Sequence, residues 1–579
     1  MKRLFDEHKI RRTQNLGGAW KFTLDPEKKG VSEGWQNGLP ASAQTVIVPS
    51  VWNTELGNLM FEGWGWYERK FTTQGGTLFF QFESVMTEAT VWLDGKEIKK
   101  HYGAFTPFEV IVNDVECGEH TLVVLADSSF DSHSFPQRYT DWFNYGGIAR
   151  DVTVGELREI SILSNHVKYE LSEDLKVATV WCDMVLYNAS AQKASSAVKV
   201  TVGDTVIYEG EVALGAHEEA SFVTEKFTLE NIELWDVRAA KLYTVVASTD
   251  TDDLIDRVGF RKIEVKNCDI ILNGKSIELL GVNRHEEHPD WGFAFPAKLM
   301  KKDIDLILNM NCNTVRGSHY PNSKIFVDML DEAGIMFWSE IPMWGVGFSE
   351  QSLLDPVIDE RGTQMHEEMV KYYFNHPCIV IWGMHNEIAT YSPNSYHLSE
   401  KWSKLLRQKG GNRLITHASC HPLKDNDMGL DDIISINIYH GWYRYNGYDG
   451  KLSDWNKMVE QFRERRIENG WTDKPVIRSE FGSAALAGYH TPFDSGVKWS
   501  EEYQRDIMEY CIELFHNTDY MRGTYPWQFT NIRTSPSMDI NRARYFNNKG
   551  ILDEYRNPKA AYFKIKELYA KYTQESKQK

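Results

Sequence analysis

The sequence predicts a multidomain chain in which two successive all-β sandwiches precede a (β/α)8 barrel. Three observations predict it. Residues 15 to 263 show short apolar runs in period-two alternation, residues after Val265 alternate strand and helix eight times, and a length of 579 residues suits three or four domains rather than one.

In the first zone, to about residue 157, the runs are AWKFTLD, TVIVPSVW, WYERKFTT, TLFFQFES, ATVWLDGKEI and HTLVVLAD. Asp94-Gly95 between two apolar runs is a strong hairpin signal, because both residues tolerate the positive φ that a two-residue turn needs. Residues 158–263 repeat the style in HVKYEL, KVATVWCDMVLY, AVKVTVG, EASFVTEKF and YTVVASTD, about a hundred residues without a helical period. That suits an immunoglobulin-like sandwich. The expected domains are therefore 1–157, 158–263 and 264–579.

The third zone can be counted. Apolar runs at 276–283, 312–319, 335–342, 378–387, 414–419, 433–440, 475–482 and 522–529 make eight strands, and segments such as AKLMKKDIDLILNMN, GTQMHEEMVKYYF and WSEEYQRDIMEYCIELF carry the helical period between them. Eight βα units in about 300 residues match a closed barrel.

Composition excludes several function classes. A formal net charge of -18 argues against a nucleic-acid or anionic-membrane surface, which needs clustered Lys and Arg. The start MKRLFDEHKIRRTQ is charged throughout and no run of about 18 apolar residues follows, so a soluble, cytoplasmic protein is expected. Seven scattered cysteines without a CxxC pair indicate neither a disulfide framework nor a zinc site, and no metal or cofactor is expected. The segment HEEH at 285–288 lacks the HExxH helical spacing of zinc proteases. Asn283, Arg284 and His285 are expected instead to buttress the barrel mouth, with hydrogen bonds to the catalytic carboxylates.

A barrel of this kind builds its active site at the C-terminal ends of its strands. Strand four ends in His385, Asn386 and Glu387, and strand seven in Glu480. Facing each other across the mouth, two carboxylates about 5 to 5.5 Å apart would serve a retaining glycosidase as acid/base and nucleophile. The competing reading is a strand-end glutamate that salt-bridges a loop lysine. Asn386 favours the first, since its amide can hold a sugar hydroxyl beside the acid.

The ordered segments NLGGAWKF, PSVW, WYERKF, DWFNYGGIAR, GVNRHEEHPDWG, NTVRGSHYP, NHPCIVIWGMHNE and SEFG, spread over nearly the whole chain, resemble glycoside hydrolase family 2. The resemblance implies a jelly-roll sandwich, an immunoglobulin-like sandwich and a catalytic TIM barrel. It makes Glu387 the general acid/base and Glu480 the nucleophile.

Family members act on several sugars, and the stretch RARYFNNKGIL chooses among them. Asn547-Asn548-Lys549 resembles the Asn-x-Lys motif of the family's β-glucuronidases, whose asparagine and lysine bind the sugar carboxylate. A solvated Asn-Asn-Lys-Gly turn is the plainer alternative. The resemblance further implies that Asn437, Tyr439 and Tyr443 line the pocket, that Asp141 and His319 hold ring hydroxyls, and that Trp527 forms the floor. The implied substrate is a β-D-glucuronide and the implied assembly a homo-oligomer. His440 and Phe481 depart from the usual tyrosines, and Arg542 and Arg544 straddle the place of the family's arginine. Those departures leave β-galacturonides or neutral galactosides as alternative substrates. The loop WGVGFSEQSLLDPVIDE after strand three is short, so the aglycone side is expected to be open.

Overall fold

The computed structural model describes residues 3–345, 348–445, 448–449, 451–493, 496–535 and 542–578. Period-two alternation sends successive side chains to opposite faces, so each early strand must cover one face with another sheet. One sheet orders Thr13–Asn15, Val152–Leu157, Gly76–Phe82 and Phe108–Val115, and the other orders Gln44–Val48, Gly18–Asp25, Trp64–Thr73, Gly118–Asp127, Glu88–Leu93 and Lys96–Tyr102. Trp20, Phe80, Val91 and Val124 fill the space between them. Asp94 and Gly95 have φ of 50° and 81° and pair Leu93 with Lys96 across the turn. That is the two-residue hairpin with both central φ positive.

The second sandwich packs Ile160–Leu171, Val177–Asn188 and Glu219–Val223 against Thr205–Leu214, Ala194–Val202, Tyr243–Thr249 and Asp253–Val258. Val180, Val200 and Val245 lie in its core.

The barrel strands are β1 (Leu279–Leu280 and Asn283–Arg284), β2 (Thr314–Gly317), β3 (Met336–Glu340), β4 (Ile379–Asn386), β5 (Leu414–Ser419), β6 (Ile434–Asn437), β7 (Val476–Phe481) and β8 (Met521–Pro526). The first piece of β1 pairs with β8 and the second with β2, both parallel, so the sheet closes on itself. Every residue of β4 is buried, as a parallel strand covered on both faces requires. The helices are α1 (Ala297–Asn309), α2 (Lys324–Ala333), α3 (Pro356–Tyr373), α4 (Pro393–Lys409), α5 (Asp454–Glu468), α6 (Glu501–His516) and α7 (Ala560–Gln578).

Helix α3 starts six residues earlier than the expected GTQMHEEMVKYYF, at Pro356 rather than Gly362. Its start is set by Asp355, whose side chain accepts from the Val357 amide, with Pro356 fitting the first helical position. The loop after β3 is correspondingly short; Val346 and Gly347 within it lie outside the described residues.

The segment after β1 joins the first sandwich to the barrel. Arg150 reaches Glu286 and the Pro321 carbonyl, and Tyr145 donates to Glu287 at 2.6 Å. Arg284 pairs with Asp303 at 2.9 Å and His285 meets the Tyr320 hydroxyl at 3.1 Å. Contrary to the sequence expectation, none of Asn283, Arg284 and His285 bonds Glu387 or Glu480. Asn283 meets the Ser479 and Tyr525 carbonyls and Arg316, and Arg284 and His285 keep their partners within the barrel. Glu286 and Glu287 are the residues that bolt the first sandwich to it. Among the described residues no helix is long and apolar enough to cross a membrane.

Candidate active site

Glu387 follows the last residue of β4 and Glu480 lies near the end of β7, so both carboxylates emerge at the same mouth. Glu387 has a left-handed backbone, φ 57°, which costs an L-residue about 1 kcal/mol or more unless its surroundings fix it. They do. Its amide donates to the Ala418 carbonyl on β5 at 2.8 Å, and the amide of Asn386 donates to Met343 at 2.9 Å.

Asn437, at the end of β6, donates through Nδ2 to Glu387 Oε1 at 2.8 Å and to Asn386 Oδ1 at 3.1 Å. Tyr439 donates its hydroxyl to Glu480 Oε2 at 2.7 Å, and Arg316 donates to Glu480 Oε1 at 2.9 Å. The Asn386 side-chain nitrogen is buried without a partner among the described residues. So is Nε2 of His319, which lies 3.9 Å from Glu480 Oε1 while Nδ1 sits 2.6 Å from Glu340. Burial and Arg316 hold the His319 pKa well below its ordinary value, so the ring is neutral. With Nδ1–H donated to Glu340, Nε2 is left as an acceptor facing the mouth. The His319 ring stacks on Trp527 at 5.0 Å, which places Trp527 as a wall of the same space.

Burial raises the pKa of both catalytic candidates, but their neighbours separate them. On Glu480 the rise is opposed by the Arg316 guanidinium and the Tyr439 hydroxyl. On Glu387 it is reinforced by the Glu480 charge and opposed chiefly by one neutral amide, and its pKa stands at about 8. Of one proton shared between them, Glu387 keeps it. Such a divergence of two carboxyls is what a general acid beside a nucleophile requires.

The other end of the mouth is cationic. Lys549 is fully buried, and its Nζ donates to the Tyr443 hydroxyl at 2.6 Å with the Tyr443 ring centroid 4.8 Å away. Burial and the Arg542 charge press its pKa well below the ordinary value. Asn547 donates from Nδ2 to Asp141 at 2.8 Å and accepts the Lys549 amide at 3.2 Å. Arg542 grips both oxygens of Asp141, at 2.9 and 2.5 Å, and reaches Tyr443 at 3.2 Å. Asp141 thus arrives from the first sandwich to close the pocket, and its carboxylate is spoken for by Arg542 and Asn547 before any sugar hydroxyl arrives. The structure brings the remaining sequence-derived candidates, Asn386, Asn437, Tyr439, Tyr443 and Trp527, around the same space as Glu387, Glu480, His319, Asn547 and Lys549. Arg544 points elsewhere, pairing with Glu554 at 2.8 Å.

Arg316 is the residue that strand-end reasoning misses. Fully buried on β2, it donates to Glu340 at 2.9 and 3.1 Å, to Glu480, to Asn386 at 2.6 Å and to Asn283 at 3.2 Å, with its guanidinium 4.3 Å from the centroid of the Trp338 ring. The one available signal is a charge interrupting the apolar strand TVRG. Arg316→Met is expected to destabilise the barrel by about 3 to 5 kcal/mol, because it leaves Glu340 and Glu480 buried without their cation. Urea unfolding would measure this; a change below about 1 kcal/mol would show that the network is not a charge balance.

The family model described as glycosyl hydrolases family 2, TIM barrel domain, matches residues 263–574, and a second model, glycosyl hydrolases family 2, matches residues 160–261. The chain belongs to glycoside hydrolase family 2. A β-glucuronidase of Streptococcus agalactiae is 27% identical over 95% of this chain and 95% of that protein. Among solved structures, a family 2 β-galacturonidase from Eisenbergiella tayi bound to galacturonate is 33% identical with a TM-score of 0.90, covering 99% of both chains. The Ruminococcus gnavus β-glucuronidase is 26% identical with a TM-score of 0.86, covering 98% of this chain and 99% of that one. As a family 2 glycoside hydrolase the chain carries its two candidate carboxylates just past the end of β4 and near the end of β7, with the cationic pocket after β8 beside them.

Proposed function

We propose that this enzyme is a retaining, exo-acting β-glucuronidase that releases D-glucuronate and an alcohol from β-D-glucuronides by double displacement. The observation that carries the reading is Lys549: a fully buried lysine whose Nζ, among the described residues, donates only to a tyrosine hydroxyl. A neutral sugar brings that lysine no counter-charge in a desolvated pocket, whereas a uronate carboxylate supplies the opposite charge that holds it protonated and accepts a charge-assisted hydrogen bond. The β-glucuronidases among its relatives support the same substrate.

Glu480 attacks the anomeric carbon while Glu387 protonates the leaving oxygen; Glu387 then deprotonates the water that cleaves the glycosyl-enzyme. The free Nδ2 of Asn386 and Nε2 of His319 suit the ring hydroxyls nearest the reacting carbon. Lys549→Ala should lower kcat/KM for 4-nitrophenyl β-D-glucuronide by about 100-fold, the scale of a lost buried charge-assisted contact. Unchanged glucuronide turnover in that variant would remove the carboxylate-reading role.

A β-galacturonidase is the second reading. The 33% identity to the Eisenbergiella tayi enzyme, over 99% of both chains, favours it. Parallel rates on the 4-nitrophenyl glucuronide, galacturonide and galactoside decide between them. All seven cysteines are free thiols, which suits the reducing cytoplasm, and a homo-oligomer is the proposed assembly. Cell fractionation and light scattering test these two points.

A further inference from the structure

Two buried side chains outside the pocket join the loop bearing Lys549 to the loop that leaves β7 just past Glu480. Gln504 on α6, fully buried, donates Nε2 to the carbonyls of Ser483 at 2.8 Å and of Lys549 and Gly550 at 3.2 Å each. Lys559, 1% exposed, donates Nζ to the carbonyls of Ala485 at 2.7 Å and Asn548 at 3.0 Å, and to Asn531 Oδ1 at 2.9 Å. Each side chain therefore holds one acceptor from the nucleophile's loop and at least one from the cation's loop. A backbone bond follows the same seam, the Ala485 amide donating to the Asn548 carbonyl at 3.0 Å, and the Gln528 amide just past β8 holds the Lys549 carbonyl at 3.0 Å from the other side. The Lys549 loop is also close-packed against the segment after β8, since a Cβ on Gly550 would stand 2.1 Å from the Asn531 amide nitrogen.

We infer that Gln504 and Lys559 are positioning residues for substrate specificity, fixing the Lys549 ammonium at a set separation from Glu480. The inference rests on the uronide reading above. A pyranuronate ring is rigid, so its carboxylate and its anomeric carbon are a fixed distance apart. An enzyme that grips one and attacks the other gains from both only if cation and nucleophile are held at the matching distance. A lysine alone on an exit loop does not meet that requirement, because its four-carbon stem lets the charge wander. The braces fix its backbone, and the Tyr443 hydroxyl fixes its tip.

A double-mutant cycle in the full-length enzyme tests this. Lys559→Met should lower kcat/KM for 4-nitrophenyl β-D-glucuronide by about 10- to 100-fold, chiefly through KM, since a misplacement near 1 Å is enough for such a loss. In a Lys549→Ala background the same change should cost less than about threefold, because there is no longer a cation to place. Equal losses in both backgrounds, or an unchanged KM in the single variant, would reduce the braces to ordinary fold stabilisers and overturn the proposal. Gln504→Met and Lys559→Arg, read by the same criterion, keep the test decisive if Lys559→Met does not fold. Absence of uronide turnover by the unmodified enzyme is a different failure: it removes the uronide reading and the inference with it.

Discussion

Glu480→Ala is expected to lower kcat on β-D-glucuronides by about 10⁵-fold, the scale on which loss of a covalent nucleophile is felt. The protein should still fold. Arg316 keeps both bonds to Glu340 when Glu480 is removed, so no buried guanidinium is left without a counter-charge. Tyr439 loses the acceptor of its hydroxyl, a loss of about 1 kcal/mol, small beside the stability of a barrel core. The vacated space lies beside the Arg316 guanidinium and the Tyr439 hydroxyl, the two donors that Glu480 leaves behind, and it suits a small anion. Added azide should therefore restore turnover and give the α-glycosyl azide, since direct attack from that face inverts the anomeric carbon. Recovery of the β-azide instead would place the nucleophile elsewhere.

The parts of the site legible in the sequence are those where a local pattern reports on position. Glu387 and Glu480 end apolar runs, and in a parallel barrel such an ending lies at the mouth. Asn547 and Lys549 are legible because two side chains two residues apart keep their spacing wherever the loop goes. The pairing partners are a different matter. Arg316 meets Glu480 across 164 residues and Arg542 meets Asp141 across 401, and periodicity carries no information about such distant contacts. Alternation says that a residue is buried, not what it faces.

The same limit explains HEEH. Its spacing excludes the helical zinc motif, yet only the docked sandwich shows that Glu286 and Glu287 face Arg150 and Tyr145. The early start of α3 was legible in principle, since Asp355-Pro356 is a helix-start pair. The stronger helical period, however, begins nearly two turns later, at Gly362. Propensity marks where a helix is stable, and capping chemistry marks where it begins.

Glu387→Gln separates the acid from the nucleophile by leaving-group chemistry and by pH. In the unmodified enzyme Glu387, with its pKa at about 8, must hold a proton for the first step. Activity therefore falls as pH rises through about 8, where the carboxyl ionises. Glutamine cannot ionise, so that alkaline limb should vanish from kcat/KM in the variant. An alkyl glucuronide, whose alkoxide leaves poorly without a proton, should lose about 10⁴-fold in rate, the upper end of what general acid catalysis contributes. A 4-nitrophenyl glucuronide needs little protonic help to depart and should lose far less in the first step. Its second step then becomes limiting, because glutamine cannot activate water, and a burst of nitrophenol should precede a slow steady state. The Asn437 amide that now donates to Glu387 Oε1 can donate equally to a glutamine carbonyl, so the geometry survives the change. Equal losses on both leaving groups, with the alkaline limb intact, would mean that the proton comes from another residue.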